Sequence, residues 1–136
     1  MPADCFFDTS VLVYTVAHAD HRSAVAEELL LRGGWISVQV LNELVAVAKR
    51  KLGMNWQEIS EATANIRTLC EAPVPLTMDT HDEARRISER YGYHFYDSLV
   101  IASAAEAGCS VLYAEDMQDD QMVGTVCIRN PFADGS

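Results

Sequence analysis

The sequence predicts an α/β domain: a doubly wound parallel sheet flanked by helices on both faces, in a single domain over residues 1–136. Three observations predict it. Short apolar runs rich in β-formers alternate with longer helical stretches, the pattern of βαβ units. The runs DCFFD, WISV, SVLYA and TVCI hold almost no polar residue inside, as strands covered on both faces require. The length of 136 residues and a hydrophobic content of 49 % suit one domain with one core.

The elements follow in order. Residues 4–8 form the first strand, ending in Asp8, and residues 11–17 a helix. His18 to His21 breaks it, and residues 23–32 form a second helix that Gly33-Gly34 stops. Residues 35–38 read as the next strand, and residues 39–53 as an amphipathic helix with basic residues in its last turns, where they complement the helix dipole. Residues 55–71 read as a helix capped by Asn55, with Glu58 placed for a capping box. Pro73 and Pro75 bracket the extended segment VPLT. A helix capped by Asp79 or Thr80 runs over 77–92 and ends at Gly92. Residues 95–108 are apolar nearly all round, the mark of a buried helix. The strand 110–114, the acidic loop 115–121 and the strand 125–128 complete the sheet; residues 131–136 are expected to be a mobile tail.

Charge and composition exclude several classes. Against 20 Asp and Glu stand 10 Lys and Arg, a net charge of -10, which argues against a broad basic face for nucleic acid. No apolar run is long enough for a membrane span, and the acidic N-terminus does not read as a secretory signal, so a cytoplasmic location is expected. Cys5, Cys70, Cys109 and Cys127 are scattered without a CxxC pair; Cys5, Cys109 and Cys127 sit in apolar stretches and read as reduced core thiols. No HxxxH or HExxH spacing supports a zinc hydrolase.

The acids carry more information. Asp8 leaves the first strand, either as the N-cap of the next helix or as an acid at the carboxyl edge of the sheet, where α/β sites form. Glu43 has Val40 and Val47 as same-face neighbours. An acid in an apolar stripe must be paired, protonated or metal-bound, so a salt bridge to a distant arginine is the plain alternative. Asp97 opens the most apolar helix, as its cap or as a carboxylate turned to the same edge. Asp116 follows SVLYA and lands beside Asp8 if the two strands are parallel neighbours. In the same loop, Glu115 and Asp120 read as solvated. Converging carboxylates repel unless a cation sits among them, and oxygen ligands without His or Cys select Mg²⁺ or Mn²⁺. Lys49, Arg50 and Lys51 on one helix, and Arg85, Arg86 and Arg90 on another, read either as solvated charge or as substrate contacts.

The stretches FFDTSVLVY, SVQVLNELVAVAKRK and YDSLVIASAAEAGCSVLYAEDMQ, in that order, resemble the acid blocks of the PIN domain, specifically those of VapC-type toxins of bacterial toxin–antitoxin pairs. IRNPF is similar to the ending of one subgroup. The resemblance covers most of the chain. It implies a Mg²⁺- or Mn²⁺-dependent endoribonuclease acting on RNA, a homodimer, and a cognate antitoxin. It makes Asp8, Glu43, Asp97 and Asp116 the metal-binding acids, with Asp8 and Asp97 as direct ligands, Ser10 as a polar helper and Asp119 as a further acid. A housekeeping or non-catalytic PIN protein is the alternative. A phospho-receiver would want a second acid beside Asp8 and a lysine beyond Lys51, and a haloacid-dehalogenase phosphatase an acid where Ser10 stands.

Overall fold

The computed structural model describes residues 3–18 and 20–133. Its order is β1 (Cys5–Phe7), α1 (Thr9–Ala17), α2 (His21–Arg32), α3 (Val38–Arg50), α4 (Trp56–Leu69), α5 (Met78–Tyr91), α6 (Phe95–Glu106), β2 (Val111–Tyr113), β3 (Met122–Val123) and β4 (Val126–Arg129). The sheet order is β1-β2-β4-β3. The first three are parallel, with Cys5 opposite Val111 and Val111 opposite Cys127.

Consecutive strand residues face opposite sides of a sheet. Phe6 and Phe7 are both fully buried, so both faces of β1 are covered. Leu112 of β2 and Val126 and Ile128 of β4 join them in one core with Leu12, Ile36, Leu44 and Val100. Every residue of α6 from Ser98 to Ala104 is buried, which explains why its sequence lacks a polar face. Asn55 and Glu58 form the expected capping box of α4. No helix among the described residues is long and apolar enough to cross a membrane.

Several expectations are corrected. The sheet is mixed, because β3 pairs antiparallel with β4 across the two-residue turn at Gly124-Thr125. Gly124 has φ +59°, the left-handed conformation such a turn demands. Met122-Val123 is only two residues long, too short for a strand pattern in the sequence. Residues 35–38 form isolated bridges instead of a strand: Trp35 pairs with Phe6 and Ser37 with Val74, both parallel. Helix α5 is capped by Thr77, whose hydroxyl accepts from the Thr80 amide, so Asp79 and Thr80 lie inside its first turn. Helix α6 is capped by His94, which leaves Asp97 free of that role. Phe132, expected in a mobile tail, is only 8 % exposed and packs edge-on against Tyr14 at 5.1 Å. Residues 134–136 of that tail lie outside the described residues.

Gly33 is the C-cap of α2, and Gly34 answers to a different constraint. A Cβ there would lie 2.5 Å from Phe7 Cε2 and 3.1 Å from the Cys5 carbonyl oxygen. The Phe7 ring is fully buried and stacks on Tyr113 at 6.1 Å, so it has little room to yield. Gly34→Ala is expected to destabilise by about 1–3 kcal/mol, the usual range for overpacking. Denaturant unfolding measures this; wild-type stability would show that Phe7 moves freely.

Candidate active site

The carboxyl ends of β1 and β2 open onto one pocket lined by Asp8, Ser10, Glu43, Asp97, Glu115 and Asp116. Parallel pairing of these strands puts Asp8 and the residues after Tyr113 at the same edge. The structure thus brings together Asp8 from the end of β1, Glu43 from α3, Asp97 from α6 and Asp116 from the loop after β2.

Asp8 is the most constrained. It caps α1: Oδ2 accepts the Ser10 amide at 3.1 Å and the Ser10 hydroxyl at 2.6 Å. Both roles weighed for it in the sequence are therefore compatible. The residue is 6 % exposed, and its other oxygen, Oδ1, is buried without a hydrogen-bond partner. Burial pushes its pKa up to about 6; the Ser10 bonds oppose this, and the Asp97 and Glu43 charges add to it.

Glu43 is half-buried. Its oxygens accept from the Gln39 side-chain Nε2 at 2.9 Å and the Thr9 hydroxyl at 3.3 Å. No lysine or arginine pairs with it among the described residues, so the salt-bridge alternative is not realised. Asp97 sits in the first turn of α6. Its pKa is raised by burial and then by Glu43, opposed by His94, with Asp116 adding to the rise. Asp116 is exposed at the pocket mouth.

The donor set suits a hard divalent cation. An acceptor-only oxygen buried without a donor, facing other carboxylates, is costly unless a proton or a cation meets it. Among the described residues no three Asp, Glu, His or Cys side chains already close round one point as a cage. Mg²⁺ does not need one, because it uses one or two carboxylates and keeps several waters.

The remaining candidates divide. Ser10 is at the site, bonded to Asp8. Lys51 lines the pocket; Lys49 instead lies over the Trp56 ring at 5.0 Å, and Arg50 is exposed nearby. Asp119 is not in the pocket: its Oδ1 accepts the Asn130 amide at 2.7 Å and so fixes the chain after β4. Arg85 lies exposed on α5, while Arg86 and Arg90 border a separate groove with Ile87 and Val123. Arg86 pairs with Glu83 at 2.9 Å, and Arg90 lies over Tyr91. Glu115, expected to be solvated, is held by Tyr14 and Arg22. Nothing in the sequence links positions 14, 22 and 115, since only the fold makes them neighbours.

Solved structures share this fold. The VapC20 toxin of Mycobacterium tuberculosis, described as cleaving the sarcin–ricin loop, is 24 % identical, with a TM-score of 0.68 over 82 % of this chain and 89 % of that one. A toxin–antitoxin complex from Klebsiella pneumoniae is 15 % identical, with a TM-score of 0.70 over 93 % of this chain and 97 % of that one. VapBC2 of Rickettsia felis, bound to a DNA fragment from its promoter, is 19 % identical, with a TM-score of 0.65 over the same shares, 93 % and 97 %. No curated protein matches the chain by sequence. The PIN domain family model matches residues 5–121, which span β1 to the end of the acidic loop, and the chain belongs to that family.

Proposed function

We propose that this protein is a Mg²⁺- or Mn²⁺-dependent endoribonuclease and the toxin of a toxin–antitoxin pair. The observation that carries the reading is the buried, unpartnered Oδ1 of Asp8, in a pocket it shares with Glu43, Asp97 and Asp116. Asp8 and Asp97 would hold the ion directly, with Glu43 and Asp116 completing its surroundings. Such an ion supplies Lewis-acid charge for a phosphodiester and for a water that attacks it. The chain's own groups do the rest. Ser10 keeps Asp8 Oδ2 oriented, Gln39 and Thr9 hold Glu43, and Lys51 offers a cation for a flanking phosphate. Attack of water at phosphorus with departure of the 3′ oxygen leaves 5′-phosphate and 3′-hydroxyl ends.

An RNA substrate is supported by the shared fold with a toxin that cleaves the sarcin–ricin loop, and an antitoxin partner by the two toxin–antitoxin complexes. A homodimer and a cytoplasmic setting complete the proposal. A non-catalytic PIN protein would have no need to keep all four acids in one pocket.

Purified protein should cleave structured RNA with Mg²⁺ or Mn²⁺ and not in EDTA. Equal cleavage in EDTA, or 2′,3′-cyclic phosphate ends, would overturn the proposal. Asp97→Asn should lower the cleavage rate by about 10²–10³-fold or more, as loss of a group serving transition-state charge does. Full activity in that variant removes Asp97 from the site.

A further inference from the structure

We propose that Glu115, held by Arg22 and Tyr14, is a positioning residue that fixes the loop carrying Asp116 against Asp8; the inference rests on the metal-dependent reading above. Both carboxylate oxygens of Glu115 are engaged. Oε1 accepts the Tyr14 hydroxyl at 2.6 Å and Oε2 accepts Arg22 Nη1 at 3.0 Å. Each oxygen of Glu115 thus already has a partner within the protein.

The clamp reaches the acids through the main chain. The Glu115 amide donates to the Ser10 hydroxyl oxygen at 3.0 Å, and the same hydroxyl donates to Asp8 Oδ2 at 2.6 Å. One serine thus ties the loop after β2 to the acid after β1. Asp116, next in the chain, is exposed and makes no side-chain hydrogen bond or ion pair among the described residues. Its position is set by its neighbours: Ala114 and Met117 are buried in the core, and Glu115 is the neighbour whose side chain is held by named polar partners.

The anchor is itself braced. The Arg22 guanidinium bonds Asp20 at 2.8 Å and lies 4.7 Å over the Tyr14 ring, while Phe132 packs against that ring edge-on. Helices α1 and α2 and the end of the described chain therefore converge on the Asp116 loop. Charge acts in the same sense. Arg22 offsets Glu115, which otherwise adds a fifth carboxylate to a pocket already holding Asp8, Glu43, Asp97 and Asp116. Without the guanidinium, repulsion would push the loop outward.

Arg22→Ala, Arg22→Lys and Tyr14→Phe in the full chain test this. Three quantities are measured: hydrogen exchange of the Glu115 amide in metal-free protein, Mn²⁺ affinity by titration, and kcat and KM on RNA. Arg22→Ala should speed Glu115 exchange and weaken Mn²⁺ binding by about 10–100-fold, the usual cost of losing a group that orients metal ligands. Arg22→Lys should restore part of both, and kcat should fall more than KM rises. Unchanged Mn²⁺ affinity in folded Arg22→Ala, whatever its melting temperature, overturns the proposal. If Arg22→Ala does not fold, Tyr14→Phe decides, since it removes one hydroxyl: weaker Mn²⁺ binding upholds the clamp and wild-type binding overturns it. Wild-type protein that binds no Mn²⁺ and cleaves no RNA would sink the nuclease reading instead. The clamp is then judged by exchange alone, where lost protection of Glu115 in Arg22→Ala upholds it and unchanged protection overturns it.

Discussion

Asp8→Asn is expected to abolish RNA cleavage and, in metal-free protein at pH 7, to raise stability. The two effects share one cause. Asp8 is 6 % exposed with a pKa pushed up to about 6, so at pH 7 the fold carries a buried carboxylate that it would rather keep protonated. A carboxyl group whose folded pKa lies above its unfolded one binds more protons folded than unfolded between the two values, here 3.8 and about 6. Its contribution to stability is therefore greatest below that window, is lost as pH rises through it, and stays lost above it. The penalty at pH 7 is on the order of 1–3 kcal/mol. Asparagine is nearly isosteric, and its oxygen can keep the two Ser10 bonds that cap α1. Its amide nitrogen then replaces the unpartnered Oδ1 with a donor, in the pocket that also holds Glu43 and Asp97. Thermal unfolding in EDTA should show the variant melting several degrees higher at pH 7, with the gap closing toward pH 4. Cleavage assays should show a loss of about 10²–10³-fold or more. A variant that is inactive and also less stable at pH 7 would mean that the Asp8 carboxylate is well satisfied without metal.

Much of this site was legible because the acids sit at punctuation marks. Asp8 and Asp116 follow apolar runs short enough to be strands, and parallel strand neighbours bring such residues to one edge. Glu43 is legible because Val40 and Val47 share its helix face, a conflict between pattern and burial that usually marks a functional group, although Gln39 on the same face is its polar partner. The illegible parts depend on pairings remote in sequence. Trp35 to Ser37 hold only single bridges, because β1 and Val74 are each met for one residue. The antiparallel β3 needed Gly124, whose left-handed conformation does not announce itself beside an acidic loop. Asp119 looked like Asp116 in composition, yet three residues further on it faces Asn130. The acidic loop gives Glu115 the pattern of a solvated residue, and only the approach of α1 and α2 converts it into an anchor. The basic residues show the same division. Lys51 reaches the pocket from the end of α3, while Arg86 and Arg90 of α5 border a different groove.

The net charge of -10 sets the last expected result: RNA should bind at least about tenfold more weakly in EDTA than in Mg²⁺. A phosphate entering the metal-free pocket meets Asp8, Glu43, Asp97 and Asp116, and Lys51 is the only lysine or arginine among the lining residues. One unit-charge contact at 4 Å amounts to about 1 kcal/mol in water and about 4 kcal/mol near a protein surface, so reversing the local sign exceeds a factor of ten. The surface as a whole stays acidic, and binding should weaken further as salt rises, because its attractive part is confined to the pocket. A non-cleavable RNA analogue titrated in Mg²⁺ and in EDTA measures this, and equal affinity would contradict it. The same ion should stabilise the fold, by about 2.7 kcal/mol when present at a hundred times its dissociation constant. That gain must shrink between pH 7 and pH 5. Asp8, with its pKa near 6, then takes up the proton that competes with the cation. Metal-free protein, which gains stability over the same interval, should approach the metal-loaded form in melting temperature as the pH falls. A metal-induced shift in melting temperature that is independent of pH across this window would place the ion away from Asp8.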